Sequence, residues 1–566
     1  MRKSGPLALA SITLGALSIR WLPLLSFLTW GADIGEYYAV LRDLAATGHV
    51  STAYAGWGVT YPYFPGLFFA QDALAVLSPL DVPTVVSLLA PALGALAVLP
   101  VFLLGATITR ETKVGLFAAA FVAVAMPHVY STSHTAPSTL GDLLVFAGLL
   151  AFHRAARDRR AVVPTLAIAG ALIVTHHLSA YFFMIMAVLA VVLRGFLRAS
   201  PDGGMRRQVA ILVAILAGTF AYWLGYATTF RDGILRDVNV SPWWIIPAAF
   251  PVLLGLLALG VRLRRRSAWR YRPVYPELPR AVRLYAATLA FLFGVMAYAI
   301  FAAAPGTAMP LPATILIYFA PLCALIALAS AGRKFFDFLR GGDAAGGWLG
   351  ALVLSTLFGA VAAPHVIIPY RHTEYLIVPI AIFAGLALAR LLDLAGAGPG
   401  ARARATAAVG IVLLANVLTA LPPPEVIVGW QEGGRAAALD AAYWSRDHVD
   451  GLLAADHRAS TLAFGFGRVD ATWDATRTPF LAGTFEEARD GLLGILAPSG
   501  VADASYVWVD RDTEAGVQLF PWEPAHPMSA PAKSKFGESP FIKVFDNGYA
   551  RAYWIAWGCE APSATC

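Results

Sequence analysis

The chain has few charged residues. Of its 566 residues only 14% are Asp, Glu, Lys or Arg, whereas a typical soluble protein carries about 25%. Hydrophobic residues make up 58% of the chain, and the mean hydropathy is +0.65. This composition excludes an ordinary soluble protein and predicts an integral membrane protein.

Cysteine is also scarce, with three in the whole chain. Cys323 lies within an apolar run and is interpreted as a small core residue. Cys559 and Cys566 lie seven positions apart near the end of the sequence. They could form a disulfide or remain two free thiols, and the sequence does not decide between these alternatives. Three scattered cysteines exclude a metal framework built from thiolates.

Long apolar runs, by contrast, recur from residue 6 to residue 421. Each is long enough to cross about 30 Å of hydrocarbon as a helix, so we predict an α-helical polytopic membrane protein with about thirteen transmembrane helices. The predicted spans are 6–27, 84–108, 114–133, 139–152, 161–175, 179–197, 208–229, 242–261, 281–303, 311–331, 347–364, 374–392 and 405–421. The apolar stretch 65–80 is predicted to be a juxtamembrane or re-entrant helix, because one more crossing there would invert the charge bias of every later loop.

Positive charge sets the predicted orientation. With an uncleaved, cytoplasmic N-terminus, the seven inner segments hold 25 Lys and Arg residues and the outer loops hold four, as the positive-inside rule requires. Residues 422–566 then lie outside the cytoplasm, with 19 acidic and 11 basic residues. The net charge of +7 thus reflects topology, and no nucleic-acid partner is predicted.

Two domains are predicted: a membrane domain over 1–421, with an outer catalytic loop at 29–83, and an extracytoplasmic mixed α/β domain over 422–566. In the second domain, Thr484 and Glu487 have capping-box spacing ahead of a short helix. Residues 505–510 read as a strand, and 541–555 read as a β-hairpin with an Asn-Gly turn. Residues 456–460 are polar enough to bind an acceptor, with loop structure as the alternative.

Polar residues gather at the outer ends of the predicted spans. The middle of the spans is largely apolar, without the buried charges expected of a proton or ion relay. Any chemistry is therefore predicted at the outer surface. The residues at these ends are Asp33, Glu36, His134, Asp142, His176, His177, Asp232, His365, Arg371, His372 and Glu374.

Asp33 and Glu36 are the candidate catalytic residues. They are three positions apart and share a face if 31–41 is helical, so that a carboxylate there could take a proton from an acceptor hydroxyl or hold a divalent cation. A solvated loop is the alternative.

Three histidines are candidate binding residues. His176 and His177 could hydrogen-bond a phosphate, ligate a metal or transfer a proton, and a capped helical turn is the alternative. His134 lies on another outer turn, but a metal site needs at least three ligands whose convergence the sequence does not reveal.

Two arginines are candidate phosphate ligands. Arg371 is the only cation of its outer loop, and its forked guanidinium suits a lipid phosphate. Glu374 could orient it, and a simple interfacial salt bridge between the two is the alternative. Arg20 lies two-thirds along the first span and could reach the same phosphate by snorkelling.

These residues carry a family resemblance. The carboxylate loop of Asp33 and Glu36, the following Tyr61-Pro-Tyr-Phe-Pro-Gly66, and the segment from Arg371 to Pro379 resemble the GT-C glycosyltransferases, especially the protein mannosyltransferase, aminoarabinose transferase and oligosaccharyltransferase branches. The resemblance implies a polyprenyl-phosphate-linked sugar donor and a lipid, glycan or protein acceptor. It implies Asp33 as base or metal-organising carboxylate, Arg371 as phosphate ligand and Tyr61 in the substrate site. The cofactor is left open, with a divalent cation such as Mg²⁺ or Mn²⁺ as one option.

The sequence departs from these families in three places. The paired acids that oligosaccharyltransferases carry in their second outer loop are replaced here by His134 and its polar neighbours. The adjacent Asp-Glu pair of mannosyltransferases is split here by Ile34 and Gly35. The Trp-Trp-Asp-Tyr-Gly acceptor motif of oligosaccharyltransferases is absent, and Gly429-Trp-Gln-Glu-Gly433 lies too far along the chain to be expected in its place, so asparagine glycosylation is not predicted. A transporter or lipid flippase and a non-catalytic scaffold for envelope assembly are the alternatives.

Overall fold

The computed structural model describes residues 4–197, 203–240, 278–303, 310–335, 342–362, 367–395, 399–427, 429–519 and 524–558. The predicted span 242–261, the basic N-terminal residues Arg2 and Lys3, and the cysteines Cys559 and Cys566 lie outside the described residues. The segment that was predicted to be a membrane domain is built from helices. These are α1 (Ser4–Trp21), α2 (Ile34–Thr47), α3 (Gly66–Leu77), α4 (Val82–Leu96), α5 (Val98–Thr109), α6 (Thr112–Val124), α7 (Met126–Ser133), α8 (Pro137–Ala155), α9 (Val162–Ile173), α10 (His177–Leu197), α11 (Gly203–Ala221), α12 (Thr228–Val240), α13 (Leu278–Phe301), α14 (Ile315–Gly332), α15 (Gly342–Ala362), α16 (His372–Ala395) and α17 (Pro399–Leu418).

The protein is a multi-pass membrane protein. Within the described residues eight helical segments are long and apolar enough to cross a membrane, or nine if α6 and α7, which meet at a bend of 57°, form one broken span. The polytopic helical class is thereby confirmed. The count of thirteen spans is not established by these segments.

Small residues let the helices pack closely, which is how transmembrane bundles gain dispersion energy without a hydrophobic driving force. The core shared by the helices is rich in alanine, valine and phenylalanine. At Gly332 of α14, an added Cβ would lie 1.9 Å from the backbone oxygen of Phe383 in α16. A side chain there would force these two helices apart.

Helix α3 covers most of residues 65–80, which were predicted to be a juxtamembrane or re-entrant helix. It has 12 residues and a length of about 18 Å at 1.5 Å per residue, which is shorter than the hydrocarbon layer. Its first turn is anchored because the N–H of Gly66 donates to the carbonyl of Val174, just before α10.

The C-terminal segment contains a four-stranded sheet flanked by short helices. The helices are α18 (Ala436–His448), α19 (His457–Gly465), α20 (Arg477–Leu481), α21 (Phe485–Leu493), α22 (Arg511–Ala515) and α23 (Ala530–Ser534). Strand β1 (Thr29–Trp30) lies before α2, and the strands of the C-terminal segment are β2 (Gly433–Gly434), β3 (Leu452–Ala454), β4 (Ala504–Asp510), β5 (Phe541–Asp546) and β6 (Ala550–Ile555). The sheet order is β3-β4-β6-β5, with β3 parallel to β4 and the other pairs antiparallel. The predicted strand, the predicted hairpin and the cap of α21 at Thr484 are confirmed.

The first outer loop and the C-terminal segment are in direct contact. Strand β1 pairs with β2, so that Thr29 faces Gly434. Helix α2 packs against α19 so closely that a Cβ on Gly35 would lie 1.8 Å from the carbonyl oxygen of Thr461. Glycine is required at this position because a helix backbone fills the space, and this contact fixes where α2 begins.

Candidate active site

Asp33 lies at the N-terminal cap of α2, where the chain leaves β1. Its Oδ1 is 2.9 Å from Nε2 of His457, the first residue of α19. The Asp33 side chain is 25% exposed, whereas that of His457 is fully buried. Burial acts to raise the pKa of Asp33, but the hydrogen bond and charge of His457, together with His134 and Arg371, outweigh burial and lower the pKa below its usual value. Asp33 is therefore an ionised, accessible carboxylate at neutral pH.

His457 is held in place by aromatic rings and by the backbone. Trp57 stands edge-on to the imidazole at 5.2 Å between ring centroids, and Trp430 and Trp473 lie at 6.1 and 6.2 Å. The N–H of His457 donates to the carbonyl of Gln518. The ring thus has little freedom to turn away from Asp33.

Glu432 ties the same loop to the segment after α17. Its Oε2 accepts a hydrogen bond from the N–H of Ala32 at 2.7 Å, and its Oε1 accepts one from the hydroxyl of Tyr130 at 2.5 Å. The Gly429–Gly433 stretch is remote in sequence but adjacent in space to Asp33, so the expectation that its sequence distance removes it from the site is wrong. A pocket of about 300 Å³ beside it is lined by Trp30, Tyr130 and Trp430, among others.

Glu36 has hydrogen-bond partners different from those of Asp33. Its carboxyl group is fully buried and accepts hydrogen bonds from the hydroxyl of Tyr54 at 2.6 Å and from the N–H groups of Trp57 and Gly58 at 2.9 and 3.1 Å. Burial raises its pKa to about 7, against the lowering effect of these three donors. This environment favours a role in holding residues 54–58, and with them Trp57, over contact with a substrate.

Tyr61 contacts the same helix. Its hydroxyl is 3.5 Å from that of Tyr37, and the two rings are 5.0 Å apart. Both hydroxyls lie within electrostatic range of Asp33. Tyr61 therefore lies at the wall of the site that the sequence predicted.

Arg371 lies in the turn directly before α16. Its Nη1 is 3.2 Å from Oε1 of Glu374, and its side chain is 34% exposed, whereas that of Glu374 is 4% exposed. The arginine charge acts on Asp33, Tyr37 and His176. The salt bridge that was the alternative interpretation is present, and it leaves part of the guanidinium accessible.

His176 and His177 lie at the start of α10 with their rings 5.0 Å apart. Nδ1 of His176 is 2.7 Å from Oγ of Ser179. His177 packs between Phe64 and Phe230, at 5.1 and 4.5 Å between ring centroids. This packing makes His177 a wall residue and leaves His176 as the histidine with a polar partner.

His134 lies beside the start of the site loop. An added Cβ on Gly31 would be 3.1 Å from Cβ of His134, and the charge of His134 acts on Asp33. Its Nδ1 is buried without a hydrogen-bond partner among the described residues. The structure therefore brings His134 to Asp33, although they are 101 positions apart in the sequence.

Arg20 does not reach the site, and the prediction that it snorkels to a phosphate is wrong. The side chain is fully buried. It donates to Thr132 Oγ1 at 2.8 Å, to the carbonyls of Ala16 and Ala123, and to Nδ1 of His128 at 2.7 Å. All four of these hydrogen bonds lie inside the helical bundle.

The described residues do not form a ready metal site. No group of three or more His, Cys, Asp or Glu side chains converges within the described ranges, and a bound metal usually needs at least three such ligands. The divalent cation considered from the sequence therefore stays a prediction without a ligand set.

Sequence reasoning missed His457 and Glu432 as site residues. The polar stretch from residue 456 was visible, but it is helical rather than a loop, and His457 is 424 positions from its partner Asp33. Neither motif spacing nor hydropathy carries a signal for such a contact.

No protein-family model matches the chain, and no curated protein matches it in sequence. Solved structures do match. The Archaeoglobus fulgidus oligosaccharyltransferase, tethered to an acceptor peptide, superposes with a TM-score of 0.59 at 15% identity, covering 91% of this chain and 70% of that one. The same enzyme in complex with Zn and sulfate gives 0.56 at 14% identity, covering 90% and 68%.

Two further structures share the architecture. The arabinofuranosyltransferase AftD from Mycobacteria gives a TM-score of 0.51 at 13% identity, covering 97% of this chain but only 40% of AftD. ArnT from Cupriavidus metallidurans in the apo state gives 0.50 at 13% identity, covering 96% and 97%. These neighbours are membrane glycosyltransferases of the GT-C type, and the chain has a GT-C-like fold. At such low identities the likeness concerns the fold alone.

Proposed function

We propose that the protein is a membrane glycosyltransferase that moves one sugar from a polyprenyl-phosphate donor to an acceptor at the outer face of the membrane. The convergence of Asp33, His457 and Arg371 at one end of an apolar helical bundle carries this proposal. An ionised carboxylate and an accessible guanidinium lie there within electrostatic range of each other. The fold shared with oligosaccharyltransferase, AftD and ArnT supports the same reaction class.

Asp33 is the proposed base. It accepts the proton of the acceptor hydroxyl while the acceptor oxygen forms a bond to the anomeric carbon of the sugar. His457 keeps the carboxylate pointed and ionised through the 2.9 Å hydrogen bond. A carboxylate of low pKa is a weak base, so proton transfer follows as the new bond forms and the acceptor oxygen becomes acidic.

The phosphate is the proposed leaving group. The bond between the anomeric carbon and the phosphate oxygen breaks with both electrons remaining on that oxygen. Arg371 stabilises the developing charge, since its guanidinium stays charged and offers forked donors. Glu374 orients Arg371 at 3.2 Å. Attack and departure on opposite faces of the ring would invert the anomeric configuration.

The proposed topology follows from the donor. A polyprenyl chain keeps its phosphate at the membrane surface, and the site lies at the ends of α1, α10 and α16, where the apolar segments stop. With the N-terminus in the cytoplasm, as the charge bias predicts, this end and the C-terminal segment face outward. Membrane lipids surround the bundle, and the acceptor is a lipid, glycan or protein with a hydroxyl group.

The test uses the full chain in detergent or nanodiscs. Wild-type protein, Asp33→Asn and the matched control Asp43→Asn are incubated with polyprenyl-phosphate sugars and membrane extract, and released polyprenyl phosphate is measured by mass spectrometry. Asp43 lies on the same helix but pairs with Arg42 at 52% exposure. Release by wild type and Asp43→Asn, with a loss of at least about hundredfold in Asp33→Asn, is expected. Equal release by all three proteins would remove Asp33 as the base.

A further inference from the structure

The tautomer of His176 is set by its own helix. The N–H of Ser179 lies 3.3 Å from Nδ1 of His176 in hydrogen-bond geometry. A backbone N–H can only donate, so Nδ1 is an acceptor, and the proton of the neutral imidazole lies on Nε2. The hydroxyl of Ser179, 2.7 Å from the same nitrogen, must then donate to it as well.

The direction of the next contact follows from the first. Oγ of Ser179 is 2.6 Å from the hydroxyl oxygen of Tyr375. Because the single hydroxyl proton of Ser179 is used on His176, the hydroxyl of Tyr375 donates to Ser179. The carboxyl group of Asp142 acts electrostatically on the same tyrosine hydroxyl.

Asp142 is fully buried. Within the described part of the chain, neither of its carboxyl oxygens makes a well-formed hydrogen bond. An isolated buried carboxyl group is costly, and an ionisable side chain inside a membrane bundle is a functional candidate by default. The proposed reaction step leaves Asp142 without a role.

A second donor of fixed direction lies on the other side of Asp142. Nη2 of Arg20 is 2.7 Å from Nδ1 of His128, and a guanidinium has no acceptor. The ring proton of His128 therefore lies on Nε2, which is 3.8 Å from Oδ2 of Asp142. Asp142 therefore lies between His128 and Tyr375 without a hydrogen bond to either in the described part of the chain, and the direction of the contacts at Tyr375 rests on the backbone N–H of Ser179.

We propose that Tyr375 and Ser179 are positioning residues that hold His176 as the Nε2–H tautomer, so that its ring offers a hydrogen-bond donor to an anionic oxygen of the substrate. This proposal rests on the proposed function, in which that oxygen belongs to the donor phosphate. The charge of Arg371, the proposed phosphate ligand, also acts on His176. The opposite tautomer would turn a lone pair toward the same oxygen. Metal-binding histidines show the same arrangement, because neighbouring groups that hydrogen-bond the other ring nitrogen fix the tautomer.

The first experiment is independent of turnover. The protein is labelled with ¹⁵N-histidine, and the signals of His176 are identified among the eleven histidines by their loss in His176→Gln. At alkaline pH wild type is expected to show protonated Nε2 alone. Tyr375→Phe and Ser179→Ala are expected to show both tautomers, and either variant serves if the other does not fold.

Tyr181→Phe is the matched control, because Tyr181 lies on α10 and its hydroxyl binds Ser355 at 2.7 Å, which is not one of the contacts among His176, Ser179 and Tyr375. In the transfer assay Tyr375→Phe should raise the KM for the donor about tenfold, the weight of one charge-assisted hydrogen bond, and Tyr181→Phe should change it less than about twofold. Protonated Nδ1 in wild type would overturn the proposal. A shifted tautomer with an unchanged KM would overturn the phosphate contact. If wild type transfers no sugar at all, the proposed function fails, and the nitrogen signals still show which tautomer His176 adopts.

Discussion

The buried carboxyl group of Glu36 gives a quantitative pH prediction. Its pKa is raised from 4.5 to about 7, because burial outweighs the lowering effect of its hydrogen bonds to Tyr54, Gly58 and Trp57. Between these two values the folded protein binds a proton that the unfolded protein has lost, so stability must fall as the pH rises. At 1.36 kcal/mol per pKa unit the total loss is about 3 kcal/mol between pH 4.5 and 7, with no further change from this group above pH 7.

Glu36→Gln removes this titration. The amide cannot accept all three hydrogen bonds, so at pH 4.5 the variant is less stable than wild type by on the order of 1–3 kcal/mol, but its stability lacks the slope with pH. Wild type should therefore be clearly the more stable protein at pH 4.5, and its advantage should shrink or vanish by pH 8.

Thermal unfolding of both proteins in the same detergent, across this pH range, measures the difference. Asp43→Asn is the control, since Asp43 is exposed on the same helix, and its profile should run parallel to wild type. Parallel profiles for wild type and Glu36→Gln would refute the reasoning, because they would mean that Glu36 has the same proton affinity in the folded and unfolded chains.

Three further outcomes are expected. His457→Gln removes the hydrogen bond and charge that lower the pKa of Asp33, so the acid limb of the kcat/KM profile for sugar transfer should move to higher pH; an unmoved limb would contradict Asp33 as the base. Arg371→Lys keeps the charge but loses the fork, and transfer should fall about tenfold to hundredfold, with Arg371→Gln lower still in the same assay; equal rates in all three proteins would contradict a phosphate ligand. Gly35→Ala drives a Cβ into the backbone of α19 and should destabilise the fold by about 1–3 kcal/mol in thermal unfolding, whereas Gly170→Ala, where nothing lies within 4 Å, should not.

The parts of the fold that follow from local pattern were predictable. Apolar runs indicate where the helices of the first 421 residues lie, and the 65–80 stretch, which charge bias predicts not to cross, forms the short helix α3. The hairpin at 541–555 follows from alternation and an Asn-Gly turn, which are also local signals. The gathering of Asp33 and Arg371 at one end of the bundle was predictable because both lie at outer ends of spans.

The pairings inside the site were not predictable. Asp33 and Glu36 have helical spacing, but a helix that starts at Ile34 leaves Asp33 at its cap, so the two carboxylates have different partners. Arg20 was assigned to the surface because a single charge in a span usually snorkels. One of its four hydrogen bonds stays within its own helix, at Ala16, and the other three go to α6 and α7, which hydropathy does not encode.

The position of Asp33 depends on the C-terminal segment from several sides at once. Glu432 holds the N–H of Ala32, the hydroxyl of Thr461 donates to the carbonyl of Ala32 at 2.7 Å, and His457 holds the carboxylate of Asp33 itself. A loop between two apolar segments has many conformations, and each fixed residue costs about 1–2 kcal/mol of backbone entropy. These contacts offset that cost before any substrate arrives. In the proposed reaction, a carboxylate held in this way acts as a base without reorganising at the moment of reaction, which gives the contact between the C-terminal segment and the first loop a physical role.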